Sequence, residues 1–272
     1  MNKEDYLISK ISSSYVGDDG AVIGNKVYSM DAFFENVHFK REWMSLAQIA
    51  RKAMLVNLSD AVAMNAQPLY ALVTLSLPKD ISTANIDEIV TSLHKVAKEY
   101  SCEIIGGDTI AGERLDFSIT IISQTEHALT RKGLVDGDLL AYTGILGESK
   151  RDLNRLFNDE KISSDSRFIE PILRQKFIKE ARKYLKTGMD ISDGLFCDSN
   201  KMLKLNALGF ELIEEISDEV GSSGEVYEML VGFDVKDYEV ILKIAKQSNT
   251  PLTVFAKVAD NNKMFNCVGH HF

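Results

Sequence analysis

Between Ser45 and Met64 the chain spells a helix that apolar contact alone cannot bury. Ser45 suits the N-cap, and on a wheel of about 100° per residue Leu46, Ile49, Ala50, Ala53 and Met64 form one stripe. Asn57 and Asp60 fall inside that stripe. An unpaired polar group turned into a core costs of order ~2–7 kcal/mol, so whatever packs against this helix must supply partners for both. A turn explanation is closed to Asp60 within a helix. A buried Lys or Arg, or a metal ion, remains.

Further aspartates stand in short polar or glycine-bearing segments. They are Asp19 in Gly17-Asp18-Asp19-Gly20, Asp31 at the end of a short strand over residues 26–31, Asp108 in Gly106-Gly107-Asp108-Thr109, and Asp190 and Asp193 flanking Ser192 in Met189 to Leu195. Carboxylates are hard oxygen ligands, and the divalent ion that shares several of them with phosphate oxygens is Mg²⁺. Taken singly, each segment also reads as a turn or an N-cap. Gly106 and Gly107 follow an apolar strand, where they would let backbone N–H groups approach phosphate. Gly194-Leu195 opens a helix whose positive end suits an anion.

The formal net charge of −9 argues against a nucleic-acid partner and fits a chain that recruits cations before it meets a polyphosphate. Cys102, Cys197 and Cys267 form no CxxC pair, so neither a disulfide framework nor a zinc site is indicated, and a reducing cytoplasm is the expected compartment. No apolar run reaches membrane-span length. There is no GxxxxGK[ST] loop, no GxGxxG after a strand and no protein-kinase HRD or DFG set, so phosphate chemistry here needs another scaffold.

Strand and helix patterns interleave, giving an α/β (α+β) class. Leu69 to Leu77 reads as a strand stopped by Pro78, and Ile86 to Tyr100 as an amphipathic helix. Glu103 to Ile105 is a strand feeding the Gly-Gly-Asp segment, and Leu115, Phe117, Ile119 and Ile121 alternate with polar residues. A break near Arg131-Lys132-Gly133 separates an expected N-terminal domain, residues 1–132, from a C-terminal one, residues 133–272. In the latter, Leu139 to Thr143 is a strand, 149–167 a helix followed by a mobile loop, and Pro171 to Leu185 a charged helix. A helix from Gly194-Leu195 to Gly209 follows, then strands at 210–213, 227–231 and 252–258 and a helix over 235–247. His38, beside Phe34 and Phe39, reads on its own as a packed histidine.

In order, these segments resemble the thiamine-monophosphate kinase family, a branch of the superfamily of aminoimidazole ribonucleotide synthetase, selenophosphate synthetase and a hydrogenase maturation protein. The matching text includes Gly17 to Val22, Asp31 with Asn36 to Phe39, Ala53 to Ala66 with its Asn57-Leu58-Ser59-Asp60, and Gly106 to Thr109. It continues with Leu129 to Gly133, Thr143 to Ser149, Met189 to Leu195 and Gly224 to Glu228. The resemblance implies transfer of the γ-phosphoryl of ATP onto thiamine monophosphate with several Mg²⁺ ions. By that likeness Asp19, Ser29, Asp31, Asp60, Asp108, Asp190 and Asp193 hold ions. Gly107, Asp108, Arg131 and Ser192 meet the nucleotide, and His38 and Glu225 lie near thiamine monophosphate. Asp60, Asp190 and Arg131 carry the chemistry, a direct transfer without a covalent enzyme intermediate. The implied fold has two α/β domains, the first pairing with its copy in a homodimer whose strands together form a barrel.

Two departures mark this chain. The family's Gly-Gly-Glu-Asp-Tyr-Glu is Ser223-Gly224-Glu225-Val226-Tyr227-Glu228, and the C-terminal aromatic expected to stack on thiamine is missing from Val268-Gly269-His270-His271-Phe272, leaving Phe265 and Phe272 as candidates. The alternatives are another ATP-dependent synthetase of the superfamily and a non-catalytic nucleotide-binding dimer. A dehalogenase-like phosphatase is disfavoured because no strand ends in an Asp-x-Asp pair.

Overall fold

The computed structural model describes residues 3–267. After a short helix α1 (Lys3–Ile8), the first half runs β1 (Ala21–Ile23), β2 (Lys26–Phe34), α2 (Leu46–Ala63), β3 (Gln67–Pro78), α3 (Thr83–Glu99), β4 (Glu103–Gly112) and β5 (Asp116–Gln124). Its five-stranded sheet has the order β1-β2-β5-β3-β4. All neighbours are antiparallel except β3 and β4, which are parallel because α3 carries the chain back between them. Capping boxes start both long helices, Ser45 with Gln48 and Ser82 with Asn85.

The alternation in β5 places Phe117, Ile119 and Ile121 in the core formed with Ile49, Met54 and Leu58 of α2 and Ile89, Leu93 and Val96 of α3. The other face of the sheet leaves Tyr28, Met30, Phe34, Tyr70 and Leu72 exposed.

The second half runs β6 (Leu139–Thr143), α4 (Glu148–Phe157), α5 (Gln175–Ala181), β7 (Leu185–Asp190), α6 (Leu195–Leu205), β8 (Gly209–Leu212), α7 (Asp218–Gly221), β9 (Met229–Phe233), α8 (Tyr238–Gln247) and β10 (Leu252–Ala259). Its sheet, order β7-β9-β6-β10-β8, is antiparallel throughout. One face packs on α5 and α8 through Phe177, Ile178, Ile241 and Ile244, the other on α6 through Leu195, Met202 and Leu203.

Helix α2 serves both halves. Its body lies in the first core, while Val62 and Ala63 join the core under β6, β7 and β9. Consequently Ile49, Ala50 and every residue from Lys52 to Ala63 are buried. This helix fixes the distance between the two sheets.

The structure corrects several sequence readings. The helix expected over Pro171 to Leu185 is confined to Gln175–Ala181 and a short 3-10 turn, and Leu185–Asp190 is the edge strand β7. Thr187 to Asp190 are buried without a break, so this strand carries no alternation to read. The strand at 103–105 continues through both glycines to Gly112. In the stretch expected to be a mobile loop the Ser166 hydroxyl bonds the Asp152 carboxylate, and just beyond it Phe168 and Ile169 pack into the first core. Val226, which replaces the family's acid, is buried in the core around α6. Phe265 stacks on Phe196 at 4.7 Å and on Phe210 at 3.8 Å, so its ring is already engaged within the protein. Phe272 and the altered ending Val268 to His271 lie outside the described residues.

Candidate metal and phosphate site

Asn57 and Asp60 do different work on the same helix face. The Asn57 amide donates to the Ala53 carbonyl (2.9 Å) and accepts the Asp31 N–H (2.8 Å), which locks α2 to β2 beside the Asp31 side chain. Asp60 instead meets two other carboxylates. Asp19, from the loop before β1, Asp60, and Asp190, from the end of β7, each offer an oxygen, and all three oxygens lie within 4.8 Å of one another. They come from the first sheet's edge, the shared helix and the second sheet. The Ser59 hydroxyl donates to Asp190 Oδ2 at 2.5 Å.

Burial is the main cause of the unusual acidity here. It pushes the Asp19 carboxyl up to about 7, against the pull of Arg131, and the Asp31 and Asp190 carboxyls up to about 6. Asp60 is raised well above the ordinary range by burial and then by Asp31, Asp190 and Asp19. The Arg131 guanidinium pairs with Asp19, and its backbone N–H donates to Asp18 at 2.7 Å. One arginine cannot balance four carboxylates. Asp19 Oδ2 and Ser29 Oγ are moreover buried with no hydrogen-bond partner. Oxygen donors alone, negative charge in excess and orphaned buried oxygens fit a hard divalent cation such as Mg²⁺.

That imbalance has a measurable consequence. In the unfolded chain these carboxylates titrate near ~4, while in the folded chain they titrate higher, so the folded state holds more protons between about pH 4 and pH 7. The metal-free protein is therefore expected to lose stability as pH rises through that window. In scanning calorimetry its Tm should be several degrees lower at about pH 8 than at about pH 5, with MgCl₂ restoring more at the higher pH, where no proton competes. A metal-free Tm that climbs over this range would contradict the arrangement.

The other residues singled out in the sequence are placed as follows. Gly107 lies inside β4, just past a bulge at Ile105, with φ +150°, and a Cβ there would stand 1.8 Å from the Val73 carbonyl oxygen. The glycine is thus required by the close approach to β3, a reason the sequence did not show. Asp108 is exposed on this edge strand, its carboxylate accepting the Thr109 N–H at 2.8 Å, outside the carboxylate trio. The Ser192 carbonyl accepts the Glu225 N–H at 2.8 Å. Asp193 pairs with Lys201, which also lies 3.1 Å from the buried Asp198. His38 accepts the Phe34 N–H on Nδ1 (3.0 Å) and packs its ring 5.5 Å from Phe33.

Glu225 meets a partner the sequence analysis missed. Its carboxylate is 2.6 Å from the Lys52 ammonium of α2. Lys52 stands three residues after Ile49 on a helix already marked as buried, which was the available signal. Glu225 and Tyr227 both have left-handed backbones, φ +53° and +52°, bracketing buried Val226. Glu228 next to them is buried against Arg174, which was also missed.

This chain is similar to known proteins. A family described as AIR synthase related protein, N-terminal domain, matches residues 17–125. The thiamine-monophosphate kinase of Rhodopirellula baltica is 32% identical over 255 residues, covering 85% of this chain and 76% of its own. That of Aquifex aeolicus is 27% identical over 281 residues, covering 96% and 92%. A solved structure described as AaThiL complexed with AMPPCP and TMP shares the fold with a TM-score of 0.86 at 24% identity, over 99% of this chain and 96% of that one.

Proposed function

Since the chain belongs to the thiamine-monophosphate kinase family, we propose that it phosphorylates thiamine monophosphate with ATP, yielding thiamine diphosphate and ADP. The observation that carries this reading is the convergence of Asp19, Asp60 and Asp190 from three separate elements. Curated relatives spanning nearly the whole chain carry the kinase name, and the protein of matching fold is complexed with AMPPCP and TMP.

Asp19, Asp60 and Asp190, with Asp31 and Ser29, would hold Mg²⁺, and Asp108 and Asp193 would be further ligands. Ions bound there supply positive charge to phosphate oxygens during the transfer. The protein's own part is positioning and charge. Arg131 is kept charged chiefly by Asp19 and then Asp190, against its burial, and sets a guanidinium at the border of the two sheets. Gly107 lets β4 run close to β3 and leaves exposed strand backbone for the nucleotide, while Ser192 precedes the positive end of α6. His38 and Glu225 are the acceptor-side residues. Asp60, Asp190 and Arg131 form the catalytic set.

In this reading residues 1–132 form the nucleotide and dimerisation domain and residues 133–272 the second domain of a cytoplasmic homodimer. The exposed apolar face of the first sheet, with Ile105 and Ile110 on its edge strand, supports pairing of two copies. Among the described residues no helix is long and apolar enough to cross a membrane.

The test is ADP release by the purified chain from ATP, Mg²⁺ and thiamine monophosphate, set against aminoimidazole precursors in the same coupled assay. Turnover with thiamine monophosphate is expected. Turnover only with another acceptor would assign a sister synthetase, and ATP binding without ADP release would assign a non-catalytic dimer.

A further inference from the structure

Among the described residues Lys52 is the one lysine or arginine that is buried, and its side chain is wholly inaccessible. A lysine normally carries its ammonium out to water along its aliphatic stem, so a buried one needs compensation where it stands. Here three groups supply it. Glu225 Oε2 lies at 2.6 Å, the Phe168 ring centroid at 3.8 Å and the Phe33 centroid at 5.5 Å. Phe168 comes from the segment after α4, tied down by Ser166 on Asp152, and Phe33 comes from β2.

The partner is held from its backbone as well. The Glu225 N–H is bound to the Ser192 carbonyl of the loop that follows Asp190, and its main chain is left-handed. Its side chain retains 23% exposure, so its carboxylate can still face a ligand while Lys52 fixes it. Lys52 precedes Asp60 by eight residues on one helix, a rise of about 12 Å. A single rigid element therefore sets the carboxylate trio at one level and the Glu225 carboxylate two turns away.

We propose that Lys52 is a positioning residue for the acceptor: through its ion pair it holds Glu225 at a fixed distance along α2 from the phosphate-handling carboxylates. This rests on the kinase reading and on Glu225 facing thiamine monophosphate. Lys52 touches neither substrate. Its influence should therefore fall on acceptor binding and vanish when Glu225 can no longer respond.

The experiment is a cycle of wild type, Lys52→Met, Glu225→Gln and the double variant, read as KM for thiamine monophosphate, KM for ATP and kcat, with calorimetric ATP binding as the check of fold. Lys52→Met is expected to raise KM for thiamine monophosphate about tenfold or more while KM for ATP moves less than about twofold. In the Glu225→Gln background the same change should add nothing. The double variant contains no unpaired charge, so its KM can be compared with that of Glu225→Gln even if Lys52→Met alone does not fold. An unchanged acceptor KM in Lys52→Met, or a further loss in the double variant relative to Glu225→Gln, overturns the proposal and leaves the kinase reading standing. A wild-type chain that releases no ADP with thiamine monophosphate overturns both.

Discussion

Asp60→Asn should lower kcat roughly 10³-fold or more, about 4 kcal/mol of transition-state stabilisation, while leaving the metal-free chain at least as stable as the parent. The two effects have one cause. Asp60 is buried beside Asp31, Asp190 and Asp19, and among the described residues the cation that faces them is Arg131. Neutralising Asp60 at constant shape relieves repulsion in the absence of cations and replaces one carboxylate oxygen by an amide NH₂, so the ligand between Asp19 and Asp190 in sequence loses its charge. Scanning calorimetry without metal should show an unchanged or higher Tm for the variant at about pH 8, and added MgCl₂ should raise it less than it raises wild type. Near-normal turnover of Asp60→Asn at saturating Mg²⁺, or collapse of its metal-free Tm, would break the link between burial and ion binding. A hydrogen-bonded structural aspartate would give the collapse without the altered Mg²⁺ response.

What could be read in advance, and what could not, follows from the range of the interactions. Asn57 and Asp60 were legible because a polar group on an apolar helix face is a local contradiction, visible within a few turns. The alternation of β5 and the cap Ser45 are equally local, and they appear where the pattern puts them. The pairing of Lys52, whose place three residues after Ile49 was its one local signal, and that of Arg174, which had none, were hidden for the opposite reason. Their carboxylate partners lie 173 and 54 residues away, and basic residues in helices or polar stretches are ordinarily solvated. Strand β7 was missed because burial along it is nearly continuous, and the charged residues before it resembled a helix. Phe168 and Ile169 are apolar residues in a loop, without any period to announce that they complete a core. The site was thus half legible: the acids and Arg131 stood out, but Lys52 and Arg174, which hold Glu225 and Glu228, did not.

Arg174→Met should destabilise the chain by about 3–5 kcal/mol, a Tm loss of roughly 10 °C, with the acceptor site disturbed as a consequence. Arg174 grips Glu228 with two bonds, Nε to Oε2 at 2.7 Å and a terminal nitrogen to Oε1 at 2.5 Å. Their side chains are only 11% and 6% exposed, so Glu228 has no route to water once the guanidinium is gone. The Thr143 hydroxyl donates to the same carboxylate at 2.6 Å and accepts the Met229 N–H at 2.8 Å. The Glu228 carbonyl accepts the Ile191 N–H at 2.8 Å, next to Asp190. A carboxylate left alone there must either bury its charge or tear this network open. Glu225, with its partly exposed side chain, has the escape that Glu228 lacks, which is why losing Lys52 should cost binding and losing Arg174 should cost folding. The decisive measurement is the double variant Arg174→Met/Glu228→Gln: with the stranded charge removed, most of the lost Tm should return. If the double variant is no more stable than Arg174→Met, the loss comes from packing around residue 174 and the charge account fails.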